Sequence, residues 1–331
     1  MKEENKFIKR VFPRPVLLNE PPKKGRIWIL DILIAYLLFT IAEIPISVIT
    51  TPVISAYILN NIDFRAVAPK FDSVTIRGII DYFKQMFDSV SRIMESFPAW
   101  IWLLMLFTFA FITLIVIIFR VKIEKGTLYS LGIKKKGAVK SYALGMLIGF
   151  AVLSLAVLLS MLTGELKFAE FCAPTVSNTV YIILFLLGYF VQGMAEEVLC
   201  RGFLMTALSR RYSVLTAVLV NSAFFMLMHA LNPGINLIAF FDLFLYGVFA
   251  SLVMIKTDNI WVVSAIHTMW NFTLGNIYGI SVSGSAVTPS VMRCISVTSD
   301  FGAEGDFGTL IAMTIGIAIV ALIKPKEKAE Q

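Results

Sequence analysis

The sequence predicts an all-α membrane protein, a polytopic bundle of about eight transmembrane helices. Of its 331 residues, 58% are hydrophobic and only 15% are charged. Soluble domains carry about 25% charged residues, so the chain falls well below the share expected of a soluble protein. Long apolar runs recur along the chain, and a helix needs about 20 apolar residues to cross a hydrocarbon core about 30 Å thick.

Eight stretches are apolar and long enough to be transmembrane helices. They lie near 27–49, 99–119, 142–162, 180–201, 213–231, 235–255, 259–279 and 308–323. The first can run on towards Leu59, and the last is short. We expect some of these helices to be tilted across the bilayer.

The positions of the basic residues predict the orientation, because short loops rich in Lys and Arg stay in the cytoplasm. Lys and Arg cluster in the N-terminal tail, between the second and third spans, and after the fourth, sixth and eighth spans. This alternation predicts a multi-pass plasma membrane protein with both termini in the cytoplasm. The net charge of +7 does not indicate a nucleic-acid partner, because the basic residues lie beside apolar runs and are not interleaved with aromatic residues.

The apolar stretches and the basic clusters together divide the chain into segments. Residues 1–26 are predicted to be a basic cytoplasmic tail, and residues 27–140 to hold two N-terminal transmembrane helices. Between those two helices, the segment 60–98 has apolar residues at helical spacing and is predicted to be an external amphipathic helix on the bilayer surface. Residues 286–331 are predicted to hold the last transmembrane helix and a cytoplasmic tail.

Three charged residues lie close together near the end of the fourth span. They are Glu196, Glu197 and Arg201. Inserting a charged side chain at the centre of a membrane helix costs about 2.5–3.5 kcal/mol, so charged residues within a span need an explanation. Glu197 and Arg201 are four residues apart with the acid on the N-terminal side, so their side chains can pair. Glu196 points about 100° away from Glu197 on a helix of 3.6 residues per turn and is left available for chemistry.

The two histidines of the chain also lie in predicted spans. His229 ends the fifth span, and His267 lies in the seventh, where Asn271 follows four residues later on the same face. A single buried histidine is usually a core residue. Here, however, two histidines occur together with paired glutamates on a third helix. Ionisable groups inside a membrane are expected to face one another or a wet cavity. We therefore predict one site built from three helices.

The pattern Glu-Glu-x-x-x-Arg, then Phe-x-x-x-His, then His-x-x-x-Asn resembles the CAAX-protease and bacteriocin-processing family, also called abortive-infection-type membrane proteases. In this chain the three motifs span residues 196–201, 225–229 and 267–271. The resemblance places a protease core at 141–285 and leaves the first two spans, the 60–98 segment and the last span outside it. The residues at 257–261 look like those of bacterial members, which predicts a bacterial source.

The resemblance implies an endopeptidase that cleaves a membrane-associated or lipidated peptide or protein. Hydrolysis of a peptide bond needs a base that takes a proton from water. We predict that Glu196 with His229 activates the water, and that His267 with Asn271 stabilises the oxyanion. Glu197 and Arg201 are predicted to support Glu196.

The resemblance also allows a metal-dependent mechanism, because the family is described both as metalloproteases and as glutamate proteases. Glu196, His229 and His267, with or without Glu197, can form a two-histidine, one-carboxylate zinc site. The predicted cofactor is therefore either none or Zn²⁺. The positive charge of Arg201 close to these groups opposes a divalent ion and favours the metal-independent route.

Two functions of other classes also remain open. A membrane scaffold or bacteriocin-immunity protein without protease activity can carry the same residues. A secondary transporter is less well supported, because inverted repeats and helices broken at matching positions are expected of it. The sequence shows neither feature.

Overall fold

The computed structural model describes residues 11–13, 27–63, 67–70, 73, 75–285 and 289–323. The described part is mainly helical. Its helices are α1 (Trp28–Asn61), α2 (Ile76–Glu95), α3 (Ala99–Ile123), α4 (Ala138–Leu162), α5 (Val176–Ser209), α6 (Val214–Met228), α7 (Leu237–Thr257), α8 (Ile260–Phe272) and α9 (Phe307–Leu322). Most of the predicted N-terminal tail and the basic residues after the last span lie outside the described residues.

The predicted helical membrane bundle is confirmed, and every predicted span corresponds to a helix. Five helices, α1, α3, α4, α5 and α7, are long and apolar enough to cross a membrane. Helices α6 and α9 are apolar but have only 15 and 16 residues, about 22–24 Å at 1.5 Å per residue. The count of eight spans is thus approximate, because α6 and α9 are shorter than the hydrocarbon core is thick.

Two helices extend beyond the predicted stretches 27–49 and 180–201, and for the first of them an extension towards Leu59 was predicted. Helix α1 continues to Asn61 through two prolines, Pro45 and Pro52. Helix α5 continues beyond Arg201 to Ser209, with a π-helical stretch at Val198–Met205. Its last residues are buried, so they belong to the bundle and not to a loop.

One end of the bundle, which we call the basic end, holds the start of α1 and the connections α3–α4, α5–α6 and α7–α8. Arg211 Nη1 lies 3.2 Å from Asp31 Oδ2, and Lys134 Nζ lies 2.7 Å from Asp258 Oδ2. These salt bridges tie the connections together. The basic residues at this end are Arg120, Lys122, Lys125, Lys134, Lys135, Lys136, Lys140, Arg210, Arg211 and Lys256.

The opposite end, which we call the sheet end, carries a two-stranded antiparallel sheet that was not predicted. Strand β1 (Leu166–Phe171) pairs with β2 (Met292–Ser296), so the connections α4–α5 and α8–α9 lie side by side. Just before β1, Glu165 accepts hydrogen bonds from the backbone N–H groups of Phe307 at 2.9 Å and Gly308 at 3.1 Å. This carboxylate caps the first turn of α9 and ties the sheet to it.

The segment predicted to be amphipathic contains helix α2. Its apolar side chains Ile76, Ile79, Ile80, Phe83, Phe87 and Val90 are exposed. The helix ends three residues before α3, and near that end the Tyr57 hydroxyl donates to the carbonyl of Ser96 at 2.6 Å. An exposed apolar face next to a membrane entry point is typical of an interfacial helix. Its position on the bilayer surface stays a prediction.

Helix α4 packs closely against α8 through two glycines one turn apart. A Cβ atom on Gly145 would lie 2.3 Å from the carbonyl oxygen of Val262, and one on Gly149 would lie 2.6 Å from that of Ile266. Small residues at four-residue spacing allow the backbones of membrane helices to come this close. Because Ile266 precedes His267, the contact also positions the part of α8 that carries a predicted site residue.

We expect Gly149→Val to destabilise the purified protein, because the added side chain must displace the α8 backbone, and such overpacking costs about 1–3 kcal/mol. The measurement is the midpoint of thermal unfolding in detergent. Leu147→Val is the matched control on the same helix, because Leu147 is exposed on the outer face of α4. A Gly149→Val midpoint equal to that of the control would contradict the close contact.

Candidate active site

The site begins where helix α5 changes from α-helical to π-helical geometry. Glu196 and Glu197 are the last residues before the π-helical stretch, and both are buried. Short π-helical stretches are rare and occur frequently at functional sites. The two carboxylates project in different directions, as the helical spacing predicted, and they have different partners.

Glu197 is the centre of a fully buried charge network. Its Oε1 atom lies 2.9 Å from Arg201 Nη1 and 2.9 Å from His267 Nδ1. The side chains of Glu197 and Arg201 are both 0% exposed. Arg201 Nη2 also donates to the carbonyl of Gly247 at 3.3 Å, and its guanidinium lies 4.7 Å from the centre of the Phe225 ring. The pair thus contacts α6, α7 and α8 as well as its own helix.

The two histidines present the same ring atom to Glu196. His229 Nδ1 lies 2.9 Å from the carbonyl oxygen of Phe225, and His267 Nδ1 lies 2.9 Å from Glu197. Because a carbonyl and a carboxylate only accept hydrogen bonds, both Nδ1 atoms are assigned as donors. The Nε2 atoms are left to face Glu196 Oε2, at 3.9 Å from His229 and 3.8 Å from His267.

Glu196 is held in place through its other oxygen. Gln192 Nε2 donates to Glu196 Oε1 at 3.0 Å, and Asn271 Nδ2 donates to Gln192 Oε1 at 3.2 Å. Glu196 Oε2 has no hydrogen-bond partner among the described residues. The sequence reasoning missed Gln192, although it lies one helical turn before Glu196 and its position could have identified it.

A cavity of about 310 Å³ adjoins these groups. Glu196, His229, His267 and Asn271 line it, whereas Glu197 and Arg201 lie behind its wall. All six predicted site residues therefore lie in one connected cluster, but only four of them reach the cavity. The structure thus separates residues that can contact a substrate from residues that can only position others.

Two further lining residues were not predicted. Tyr246 of α7 is buried against His267, with ring centres 5.4 Å apart, and its hydroxyl has no hydrogen-bond partner among the described residues. Glu304 accepts hydrogen bonds from Trp270 Nε1 at 2.9 Å and from the backbone N–H of Ser283 at 2.7 Å. No sequence motif connects either residue to the histidines, because they come from separate parts of the chain.

The described residues do not fit a zinc ion as they are placed. Two ligands at about 2.0–2.1 Å from a tetrahedral zinc ion lie about 3.3 Å apart. The two Nε2 atoms are 3.8 and 3.9 Å from Glu196 Oε2. Within the part of the chain that the structure describes, no group of three His, Cys, Asp or Glu side chains is arranged to hold a metal ion.

We expect Arg201→Met to lower the midpoint of thermal unfolding strongly, because removing one partner of a buried ion pair costs about 3–5 kcal/mol. Adding Glu197→Gln to this variant should recover much of the loss, since the remaining buried charge is then removed as well. Arg293→Met is the control, because the Arg293–Glu170 pair is exposed on the sheet. Equal midpoints for Arg201→Met and Arg293→Met would contradict the role of the pair.

The comparison with known proteins agrees with the position of this cluster. A search of curated proteins found no match to the chain. Residues 178–273 match the model of one protein family, described as type II CAAX prenyl endopeptidase Rce1-like. The matched segment contains all six predicted site residues and leaves α1 to α4 and α9 outside it. This match confirms the predicted resemblance to CAAX-type membrane proteases over the segment that builds the site.

Proposed function

We propose that the chain is an intramembrane endopeptidase that hydrolyses a peptide bond in a membrane-associated or lipidated peptide. The observation that carries the proposal is the convergence of two histidine Nε2 atoms on the one unpartnered oxygen of a buried glutamate. The match to the CAAX endopeptidase family supports the reaction class.

A water molecule between Glu196 and the histidines is the proposed nucleophile. Separations of 3.8 and 3.9 Å are too long for direct hydrogen bonds, but an oxygen atom about 2.8 Å from each group can bridge them. Glu196 takes a proton from this water as it attacks the substrate carbonyl carbon. That proton passes from Glu196 to Nε2 of His229, which faces the same oxygen, and from there to the leaving nitrogen as the C–N bond breaks. The products are a carboxylic acid and an amine, and Glu196 is a carboxylate again.

Donors in the same cavity are proposed to stabilise the oxyanion that forms on attack. Glu197 accepts a hydrogen bond from His267 Nδ1, so a second proton, on Nε2, makes the ring an imidazolium that donates towards the cavity. Asn271 uses one amide N–H for Gln192 and keeps a second for the substrate. Tyr246, with its unpartnered hydroxyl, is a third candidate donor. Each donor of this kind contributes about 10²–10³-fold to the rate.

The metal-independent route is the one we propose, on the geometry of the donors. The Glu196 and histidine atoms are spaced for a bridging water and are too far apart to share a zinc ion. The buried positive charge of Arg201 lies against Glu197, the residue that follows Glu196 in the sequence. Glu197 is committed to that charge and to His267, so it is not available as a further ligand for a divalent cation.

We expect Glu196→Gln to reduce cleavage by about 10²-fold or more, because the amide keeps the size of the side chain but cannot act as a general base. The measurement is the set of membrane peptides, quantified by mass spectrometry, in cells that carry either the wild-type or the variant chain. Peptides cut by the wild type should accumulate uncut in the variant.

Glu43→Gln is the matched control, because Glu43 lies in α1 and does not line the cavity beside Glu196. Its peptide set should equal that of the wild type. Cleavage that persists in Glu196→Gln would contradict the catalytic role of Glu196. A chain whose wild type changes no membrane peptide would instead be a scaffold or an immunity protein.

A further inference from the structure

The cavity beside Glu196 extends towards one end of the bundle only. Its lining residues on α3 are Trp102, Met105, Leu106 and Phe109, all from the half of that helix nearest the sheet end. Leu243 and Tyr246 likewise come from the first half of α7, which begins at the sheet end. The loop residues Asn232, Val282, Ser283, Ser285 and Glu304 complete it. None of the described residues in the basic-end connections contributes to the lining.

A second, larger space lies at the sheet end. This vestibule has a volume of about 1160 Å³. Its charged lining residues come from α2, from the sheet and from the loop before α9. They are Asp88, Arg92, Glu95, Glu170, Arg293 and Asp300. The vestibule is thus polar and of mixed charge, whereas the inner cavity is lined mainly by apolar side chains.

A thin wall of backbone separates the vestibule from the inner cavity. Residues next to each other in sequence lie on opposite sides of it: Asn232 lines the cavity and Pro233 the vestibule, and Ser283 lines the cavity and Gly284 the vestibule. Asn232 Nδ2 donates to the carbonyl of Ser283 at 3.1 Å, which holds the two loops together.

The charges identify which side of the membrane the vestibule faces. The basic end carries ten Lys and Arg residues. The described parts of the connections at the sheet end carry six, Lys70, Arg77, Lys84, Arg92, Lys167 and Arg293, and these are outnumbered there by nine Asp and Glu residues. Because basic loops stay in the cytoplasm, the sheet end, and with it the vestibule next to the inner cavity, lies on the extracytoplasmic side.

From this arrangement we infer that the substrate is a membrane polypeptide that enters from the extracytoplasmic side. Its polar segment occupies the vestibule, and its apolar segment occupies the inner cavity beside Glu196. These linings suit a polypeptide that leaves the bilayer at this point. Its apolar segment would contact the apolar helices of the inner cavity, and the adjoining polar segment would contact the charged residues of the vestibule. The inference rests on the proposed endopeptidase function.

The inner cavity is also lined by side chains from helices outside the segment that matches the protease family. Phe39 of α1, Met94 of α2 and Trp102 of α3 line the cavity, and all three lie outside the segment that matches the protease family. The catalytic groups come from the matched segment. The apolar part of the substrate therefore contacts the N-terminal helices as well as the matched segment.

Thiol labelling in intact cells tests the side of access without reference to cleavage. Ser177 is exposed at the vestibule, and Lys135 is exposed at the basic end. In the full chain with Cys172→Ser, we expect a membrane-impermeant maleimide to label Ser177→Cys in intact cells. Lys135→Cys should be labelled only after the cells are permeabilised. Labelling of Lys135→Cys in intact cells, or none of Ser177→Cys, would overturn the inference.

Blocking the vestibule tests the route itself. A bulky polymer maleimide on Ser177→Cys should reduce cleavage of the identified peptides by about tenfold or more, because entry to the site is obstructed. The same polymer on Lys135→Cys in permeabilised cells should leave cleavage unchanged. Full cleavage with the polymer on Ser177→Cys would overturn the route. If the unmodified chain cuts no peptide, the proposed function fails, and the labelling result still decides the side of access.

Discussion

The buried pair of Glu197 and Arg201 is the interaction on which the site depends. An unpaired charge in the middle of an apolar bundle is very costly, so both side chains must find partners inside the protein. Glu197 binds Arg201 and His267, and Arg201 reaches the carbonyl of Gly247 and the face of Phe225. Four helices are thereby held at fixed distances around one pair of charges. The arrangement of the cavity follows from this constraint.

Glu196 owes its position to the same helix but has the opposite environment. It faces the cavity, is supported by Gln192, and leaves one oxygen towards two histidines whose tautomers are set by Phe225 and Glu197. In the proposed mechanism the two adjacent glutamates therefore have different roles: Glu197 positions the site, and Glu196 acts on the water. The close packing of α4 against α8 helps to position His267 beside both glutamates.

Much of this arrangement could be predicted from the sequence, because ionisable residues in apolar helices are few and helical spacing fixes their directions. Glu196, His229 and His267 were predicted to share a site, and they lie in one cluster. Tyr246 and Glu304 could not be predicted, since a buried tyrosine and a loop glutamate have no distinctive local pattern. The sheet was missed for a similar reason: β1 and β2 are short and far apart in sequence, and only their pairing makes them strands.

The central claim is that Glu196 and the histidines activate water without a metal ion. The direct measurement uses the full chain purified in detergent, with its metal content determined by mass spectrometry and its cleavage rate measured before and after dialysis against a chelator. We expect far less than one bound metal ion per chain, and a cleavage rate that dialysis leaves unchanged. A rate that is lost on chelation and restored by zinc would contradict the account.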